Sequence, residues 1–494
     1  MDLLRSIFWR AIRSPFRTAI VDDRRSYSFG QVLVGSFHMA GHIDAATSCK
    51  NVGLLLPTSG AMPMAVLGCW LAGRIAVPLN YLLSPHELNA IIDDSGIDTI
   101  VTVGPMLDLL GLADKLRKHI KLVKLETLSF TGVPQLRWPG PFDADDIAVI
   151  LYTSGTSGAS KGVMLTHGNL YSNVTGAIEL ARLKSADAFF GVLPQFHSFG
   201  LTALTLVPLH LGAKVVYTAR FVPKKIVELI REHRPDIMMA VPSMYNALLN
   251  VKDATADDFK SLRMPISGGE PLPVTVADAY QQRFGVKLLE GYGLTETSPV
   301  ACWSTLFANK PGSVGTALPG VDFQIIDDDG KPLQRGATGE ILIAGPNIMK
   351  GYFHQPQLTA EVMTTINGRR YFRTGDIGHL DSDGFLFITG RKKEALKIGG
   401  MLVFPRSIEE AINEHPAVKD CAVIGKSDPV RGEIPVAYVE LRDGETFDEL
   451  SIRSHCREHL AQYKVPREIY PIKQLPRSPT GKILRRKLQD GQAV

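Results

Sequence analysis

The sequence predicts an α/β protein, with a large N-terminal domain of βαβ-type sheets that includes a β-rich subdomain, followed by a small α+β C-terminal domain. Three observations predict it. Between about Asn51 and Leu289, short apolar runs (NVGLLL, TIVTV, IAVILY, AKVVYT, DIMMAV) alternate with helical patterns. That alternation marks βαβ units whose parallel strands are buried on both faces. Near Gly312 the texture changes to strand and turn, with Asp329-Gly330, Asn367-Gly368 and Asp383-Gly384 at the corners. Both central residues of such turns must accept positive φ, which Asn, Asp and Gly do. After Gly390 a compact mixture of one-sided helices and strands begins.

The N-terminal domain is expected over residues 1–389, with its β-rich part at about 312–389. MDLLRSIFWRAIRSPFRTAIV lacks the uninterrupted apolar core of a secretory signal and reads as a first helix. Phe8 and Trp9 on it either dock inward or touch a membrane surface, so membrane contact is peripheral at most. Met62–Leu79 is the most apolar stretch. Arg74, two prolines and two glycines interrupt it, and about 20 clean apolar residues are needed to span a bilayer. It reads as a buried helix followed by a strand. The polar segment Gly390–Glu394 is the linker and hinge candidate, and residues 395–494 form the C-terminal domain. There, Ile408, Ala411 and Ile412 give a helix over Ser407–Glu414, CAVIG and VAYVEL give strands, and Thr446 with Glu449 reads as a capping box. A strand IYPI precedes a basic tail.

The chain has 494 residues, 45% of them hydrophobic and 21% charged. It can therefore bury more than one core. A net charge of +4, from 54 basic against 50 acidic residues, is too small to argue for nucleic acid. Five scattered cysteines without a C-x-x-C pair read as buried free thiols in a reducing compartment, and the cytoplasm is the expected location. Cys456 and His459 share a helical spacing, but no second ligand pair accompanies them and a metal site there is not expected.

LYTSGTSGASKGV, Leu151–Val163, carries the strongest local signal. A strand-like run ends at Tyr152, and seven of the next nine residues are Gly, Ser or Thr, closing on Lys161. Such a loop offers backbone N–H groups and hydroxyls to phosphate oxygens, and lysine adds a compact positive charge. The Walker A spacing G-x-x-x-x-G-K-[ST] is not satisfied, and the apolar VML separates the loop from a helix whose N-cap would be Thr166. EGYGLTET, Glu290–Thr297, contains only part of G-x-G-x-x-G, so a dinucleotide fingerprint fails. Tyr292 offers a flat ring, Thr295 a hydroxyl, and Glu296 a hard oxygen ligand of the kind that suits Mg²⁺ beside phosphates. LPQFHSFG (Leu193–Gly200), AVPSMYNALLN (Ala240–Asn250), SGGEPL (Ser267–Leu272), YFRTGDIG (Tyr371–Gly378) and PRSPTGKILRRKL (Pro476–Leu488) follow. Alone, each reads as core packing, a turn or a solvated tail.

Together these segments resemble, from end to end, the ANL adenylating superfamily, and most of all its medium- and long-chain fatty acyl-CoA synthetases. The resemblance implies ATP, Mg²⁺ and coenzyme A as small-molecule partners. It implies nucleotide contacts at Thr153, Ser154, Gly155, Thr156, Ser157, Gly158, Lys161, Gly269, Glu270, Pro271, Gly291, Tyr292, Gly293, Thr295, Asp376, Arg391 and Lys482. Lys482, Thr295, Glu296 and His197 become catalytic candidates, with Glu296 holding Mg²⁺. His197, Phe199, Gly200, Val241 and Tyr245 line the acyl pocket by the same likeness. A rotation of the C-terminal domain about Lys393 is implied between the two half-reactions, bringing Gly399 and Gly400 to a pantetheine tunnel. Three departures stand out: Ser160 where many members have proline, Gln195 where an apolar residue is common, and Arg406-Ser407 after Pro405 where a glutamate often follows.

The function that the resemblance implies is an ATP-dependent acid–CoA ligase that adenylates a carboxylic acid, a medium- or long-chain fatty acid, with release of pyrophosphate, and then forms the thioester with coenzyme A with release of AMP. An aryl or short-chain acid–CoA ligase, and an acyl-AMP ligase delivering to acyl carrier protein, are the alternative enzymes. An inactive acyl-adenylate-binding protein is the alternative of another class.

Overall fold

The computed structural model describes residues 2–140, 142–154, 160–398, 401–428, 432–477 and 483–489. Four sheets organise them. The first has nine strands, and its inner run is parallel: Leu289–Gly293, Met264–Gly268, Ile237–Ala240, Ala188–Gly191, Lys214–Tyr217 and Thr18–Val21. Helices Pro223–His233, Pro242–Leu249 and Val274–Phe284 form the intervening segments, as βαβ reading requires. Antiparallel strands close both edges. The second sheet has seven strands, built outward from Asn51–Leu55 and Ile75–Pro78.

One continuous buried cluster takes in residues of both sheets and of helices Phe29–Ala46, Ala61–Leu71 and His167–Ala181. Glycine lets two of these helices approach closely. A Cβ at Gly68 would lie 2.7 Å from Met39, and one at Gly35 2.6 Å from Met64. Met62–Leu79 is a buried helix and strand, as its composition predicts, and among the described residues no helix is long and apolar enough to cross a membrane. On the first helix, Leu3–Arg13, Phe8 docks inward. Trp9 does not: it is 41% exposed and stands edge-on to Trp138.

The third sheet pairs Asp322–Ile326, Gly339–Ala344, Arg369–Leu380, Met363–Ile366 and Leu386–Arg391, all antiparallel. Asn367 and Gly368, both at positive φ, make the two-residue corner expected there. The fourth sheet belongs to the C-terminal segment and centres on the long pair Val418–Asp428 and Gly432–Leu441.

Two local expectations are corrected. Helix Pro405–Asn413 begins two residues before the expected start, because Pro405 occupies the first turn, where its missing N–H costs nothing. The Thr446/Glu449 capping box is not used. Asp448 is the N-cap of helix Glu449–His459 and accepts from the Ser451 N–H at 3.0 Å. A charged acceptor at that position satisfies the same orphan N–H and suits the positive helix end. Cys69, Cys302, Cys421 and Cys456 are buried free thiols as expected, whereas Cys49 is only partly covered.

Candidate functional site

The Gly/Ser/Thr segment is flanked by two paired strands. Strands Ile147–Ser154 and Ser160–Thr166 pair antiparallel, with Thr153 opposite Lys161. Gly155, Thr156, Ser157 and Gly158 lie outside the described residues, as does the Ser154 side chain. Thr166 ends the second strand and caps helix His167–Ala181 through a box with Asn169. The Lys161 ammonium sits 5.0 Å from the ring centroid of Tyr352. The Tyr352 hydroxyl in turn donates to Glu296 Oε1 at 2.8 Å. Burial, followed by the Glu296 charge, pushes that phenol far above the ordinary tyrosine range.

Glu296 stands in a short 3₁₀ turn, Thr295–Thr297, that remote residues hold. Asn173 and Asn347 each donate to the carbonyls of Thr297 and Val300, over 2.6–3.1 Å. The Met349 N–H donates to the Glu296 carbonyl at 2.9 Å. Thr295 is buried, and its hydroxyl lies 3.3 Å from Ser198 Oγ. Gly293 is required by close approach, since a Cβ there would lie 1.9 Å from the Pro299 carbonyl oxygen.

A second group joins the first sheet to the third. Asp376, buried on Arg369–Leu380, accepts from the Tyr292 hydroxyl at 2.6 Å and pairs with Arg391 Nε at 3.1 Å. Thr374 Oγ1 accepts from the Asp376 N–H at 2.9 Å and so orients its turn. Burial of the Tyr292 phenol, and then the facing Asp376 charge, drives its pKa well up. Burial opposes the Arg391 charge, but Asp376, Glu394 and Glu296 together hold its pKa above the ordinary value. The Lys393 ammonium is lowered, first by desolvation and then by Arg391 and Lys161. Lys161, Tyr292, Glu296, Asp376, Arg391 and Lys393 therefore share one electrostatic neighbourhood.

The apolar side is less uniform. Phe199 opens a π-helical stretch, Phe199–Leu206, a geometry common at functional sites. A Cβ added to Gly268 would lie 3.1 Å from the Phe199 ring, and one on Gly269 would lie 3.6 Å from Val241. These residues and Gly291 thus meet at the ends of three neighbouring parallel strands. Gly269 and Pro271 are exposed, Glu270 and His197 half-buried. His197 Nδ1 accepts from the Phe199 N–H at 3.2 Å. Gly200 is tied to backbone approach, because a Cβ there would lie 2.1 Å from the Pro194 carbonyl oxygen. Tyr245 is fully enclosed, and its hydroxyl donates to the carbonyls of Met238 and Ile266. It thereby ties two strands together within the core. Gln195 is also buried and bridges the Ser59 N–H to Thr205.

Lys482, Gly399 and Gly400 lie outside the described residues. Of the described residues on either side in sequence, Arg477 and Ile483 form an antiparallel bridge, and Leu475 and Leu488 belong to a small core. Arg485 joins that region to Glu394 at 3.4 Å and to Glu409 at 2.8 Å. Against the third sheet, Arg406 donates to the Ile388 carbonyl at 2.7 Å. Glu290, two residues before Tyr292 on the same strand, is pushed up to about 7 by burial, with Arg406 partly offsetting it. Tyr352, Asn173, Asn347, Ser198 and Glu290 were not singled out from the sequence. Each acts through a partner far away in the chain, so no local pattern signals it.

The model of the AMP-binding enzyme family matches residues 7–353, and that of its C-terminal domain matches residues 407–482. This chain belongs to the AMP-binding enzyme family. With that membership it is an AMP-forming acid–CoA ligase of the adenylating superfamily that its motifs resemble. A long-chain-fatty-acid–CoA ligase of Bacillus subtilis (strain 168) is 32% identical over 97% of this chain and 92% of its own length. Among solved structures, ATP-bound MatB from Rhodopseudomonas palustris has a TM-score of 0.90 at 30% identity, covering 100% of this chain and 99% of its own. The o-succinylbenzoate CoA synthetase of Bacillus subtilis, with ATP and a magnesium ion, has a TM-score of 0.86 at 29% identity, covering 98% and 99%.

Proposed function

We propose that this AMP-binding enzyme activates a medium- or long-chain fatty acid with ATP and passes the acyl group to coenzyme A. The observation that carries the reading is the pairing of two preorganised groups, Asp376–Tyr292–Arg391 and Glu296–Tyr352–Lys161, in one electrostatic neighbourhood. The first suits a ribose and adenine: a fixed carboxylate accepts from two sugar hydroxyls, and Gly269–Pro271 and Gly291–Gly293 approach the base. The second suits a triphosphate.

A carboxylate resists thiols because its charge repels nucleophiles and oxide is a poor leaving group. Attack of its oxygen on the α-phosphorus of ATP forms the mixed anhydride and breaks the bond to pyrophosphate. Positioning and charge neutralisation dominate such a step. Lys161, Thr295 and residues Thr153–Gly158 would hold the phosphates, and Lys482 would bridge the reacting oxygens. His197, with Phe199 and Gly200, would gate the acid. Tyr352 occupies one oxygen of Glu296 and leaves the other, which fits the one or two carboxylates that Mg²⁺ takes beside phosphates. When bound, Mg²⁺ would supply further neutralisation of the phosphate charge. The thiol of coenzyme A then attacks the acyl carbon and AMP leaves. We assign residues 1–389 and 395–494 to two domains, with rotation about Lys393 withdrawing Lys482 and presenting Gly399 and Gly400.

The acid class rests on the apolar side. Segments 193–211, 237–250 and 264–272 contain no lysine or arginine that could pair with a second charge on the substrate tail. The relative named for long-chain fatty acids supports the same class. A panel of saturated acids from short to long, with aryl acids beside them, tests it through kcat/KM for thioester formation. A preference for long saturated acids is expected. A preference for benzoates or short acids would replace the fatty-acid assignment, and transfer to acyl carrier protein but not to coenzyme A would replace the acceptor.

A further inference from the structure

We propose that Glu414, His455 and His459 form a divalent transition-metal site on the C-terminal segment, apart from the nucleotide and acyl machinery. The two histidines stand one turn apart on helix Glu449–His459, a spacing that puts both rings on one face. Their rings stack with centroids 4.2 Å apart. Glu414 caps the end of helix Pro405–Asn413, which packs against them. One ligand atom from each of the three residues lies within 4.8 Å of the others.

The way the rings are held distinguishes this cluster from a surface ion pair. His455 Nε2 lies 3.1 Å from the Ala411 carbonyl oxygen, and His459 Nδ1 lies 2.8 Å from the His455 carbonyl oxygen. A carbonyl only accepts, so each of these nitrogens donates a proton. In the neutral rings, Nδ1 of His455 and Nε2 of His459 are left with lone pairs. This is the outer-shell bond that fixes tautomer and ring orientation in metal-binding histidines. His415 braces the arrangement from behind: its Nε2 donates to Ser451 Oγ at 3.0 Å, its Nδ1 accepts from the Ala417 N–H, and its ring stands edge-on to His455 at 5.5 Å.

His459 Nε2 and Glu414 Oε2 are 4.0 Å apart. Two ligands of a tetrahedral zinc ion lie about 3.3 Å apart, given metal–ligand distances of about 2.0–2.2 Å. Rotation of the exposed Glu414 side chain closes that gap. Two imidazoles and one carboxylate suit Zn²⁺, Co²⁺ or Ni²⁺, with water in the open position, whereas Mg²⁺ and Ca²⁺ prefer an all-oxygen shell. Cys456, the sulfur closest in sequence, is buried in the core of this unit and is not part of the set. The ion would join the end of one helix to the last turn of the next.

Titration of the tag-free full chain with Co²⁺ alone, followed by visible absorption and then by Zn²⁺ displacement, tests the site. A saturable d–d band at one equivalent is expected, lost on adding Zn²⁺, together with a Zn²⁺-dependent rise in Tm. His459→Gln and Glu414→Gln alter exposed side chains and should each weaken Co²⁺ binding by at least about tenfold. The absence of a saturable band, or a band of unchanged affinity in both variants, would overturn the proposal.

Discussion

Replacing Tyr352 with phenylalanine removes a single oxygen atom from the candidate site. The ring is 4% exposed, and the Lys161 ammonium faces it at 5.0 Å. Core packing and the cation–ring contact therefore survive the change. What is lost is the 2.8 Å hydrogen bond to Glu296 Oε1. A hydrogen bond to a charged partner contributes about 1.5–3 kcal/mol. Glu296 is only half-buried and water can partly replace the phenol, so the lower end of that range applies. At about 1.4 kcal/mol per decade, this corresponds to a roughly tenfold loss. The loss should fall on kcat/KM for ATP and on the Mg²⁺ concentration giving half-maximal rate, with KM for the acid unchanged. Pyrophosphate release followed across a Mg²⁺ titration measures both. Tyr352→Leu, which also removes the face opposite Lys161, should lose more. If Tyr352→Phe leaves the Mg²⁺ dependence and kcat/KM for ATP at wild-type values, Tyr352 does not position Glu296 for catalysis.

Three further outcomes are expected. Glu290 titrates near 7 in the folded protein against 4.5 for an ordinary glutamate, because burial disfavours its charge. The native state then keeps the proton longer than the unfolded chain, and the stability present below pH 4.5 is lost as pH rises to about 7. Glu290→Gln should flatten that slope and gain up to about 3 kcal/mol at pH 8, read by urea unfolding at several pH values. Parallel wild-type and variant profiles would remove Glu290 as the cause. Lys482→Ala should nearly abolish adenylate formation while sparing thioester formation from supplied acyl-AMP, and Gly400→Leu should do the reverse. Equal losses in both assays would sink the division of labour. Gly268→Ala would place a methyl group 3.1 Å from the Phe199 ring, so the preferred acid should shorten while KM for ATP holds. An unchanged chain-length profile would detach Phe199 from acid selection.

Features set by residues close in sequence were readable before the structure. The βαβ alternation, the Thr166 cap and the Asn367-Gly368 corner each depend on neighbours within a few positions. The misreadings were also local, and competition explains them. Asp448 displaces Thr446 as a cap because a carboxylate serves the helix end better, and Pro405 starts its helix early because it needs no N–H partner there. The contacts around Glu296 and Asp376 were not readable. Asn173, Asn347 and Tyr352 reach their partners from 47 to 127 positions away, and only the packing of a helix, a turn and a strand around Glu296 brings them together. The same holds for the imidazole cluster. Cys456 and His459 share a helical spacing, yet the thiol is buried, and His459 faces Glu414 and His455 instead.

Acid-dependent pyrophosphate release in the absence of coenzyme A tests the central chemistry most directly. With ATP, Mg²⁺ and a long-chain fatty acid, a burst close to one equivalent of pyrophosphate per enzyme is expected. Steady turnover to AMP and acyl-CoA should then follow once coenzyme A is added. Formation of ADP and phosphate, or no pyrophosphate until coenzyme A is present, would contradict an acyl-adenylate intermediate.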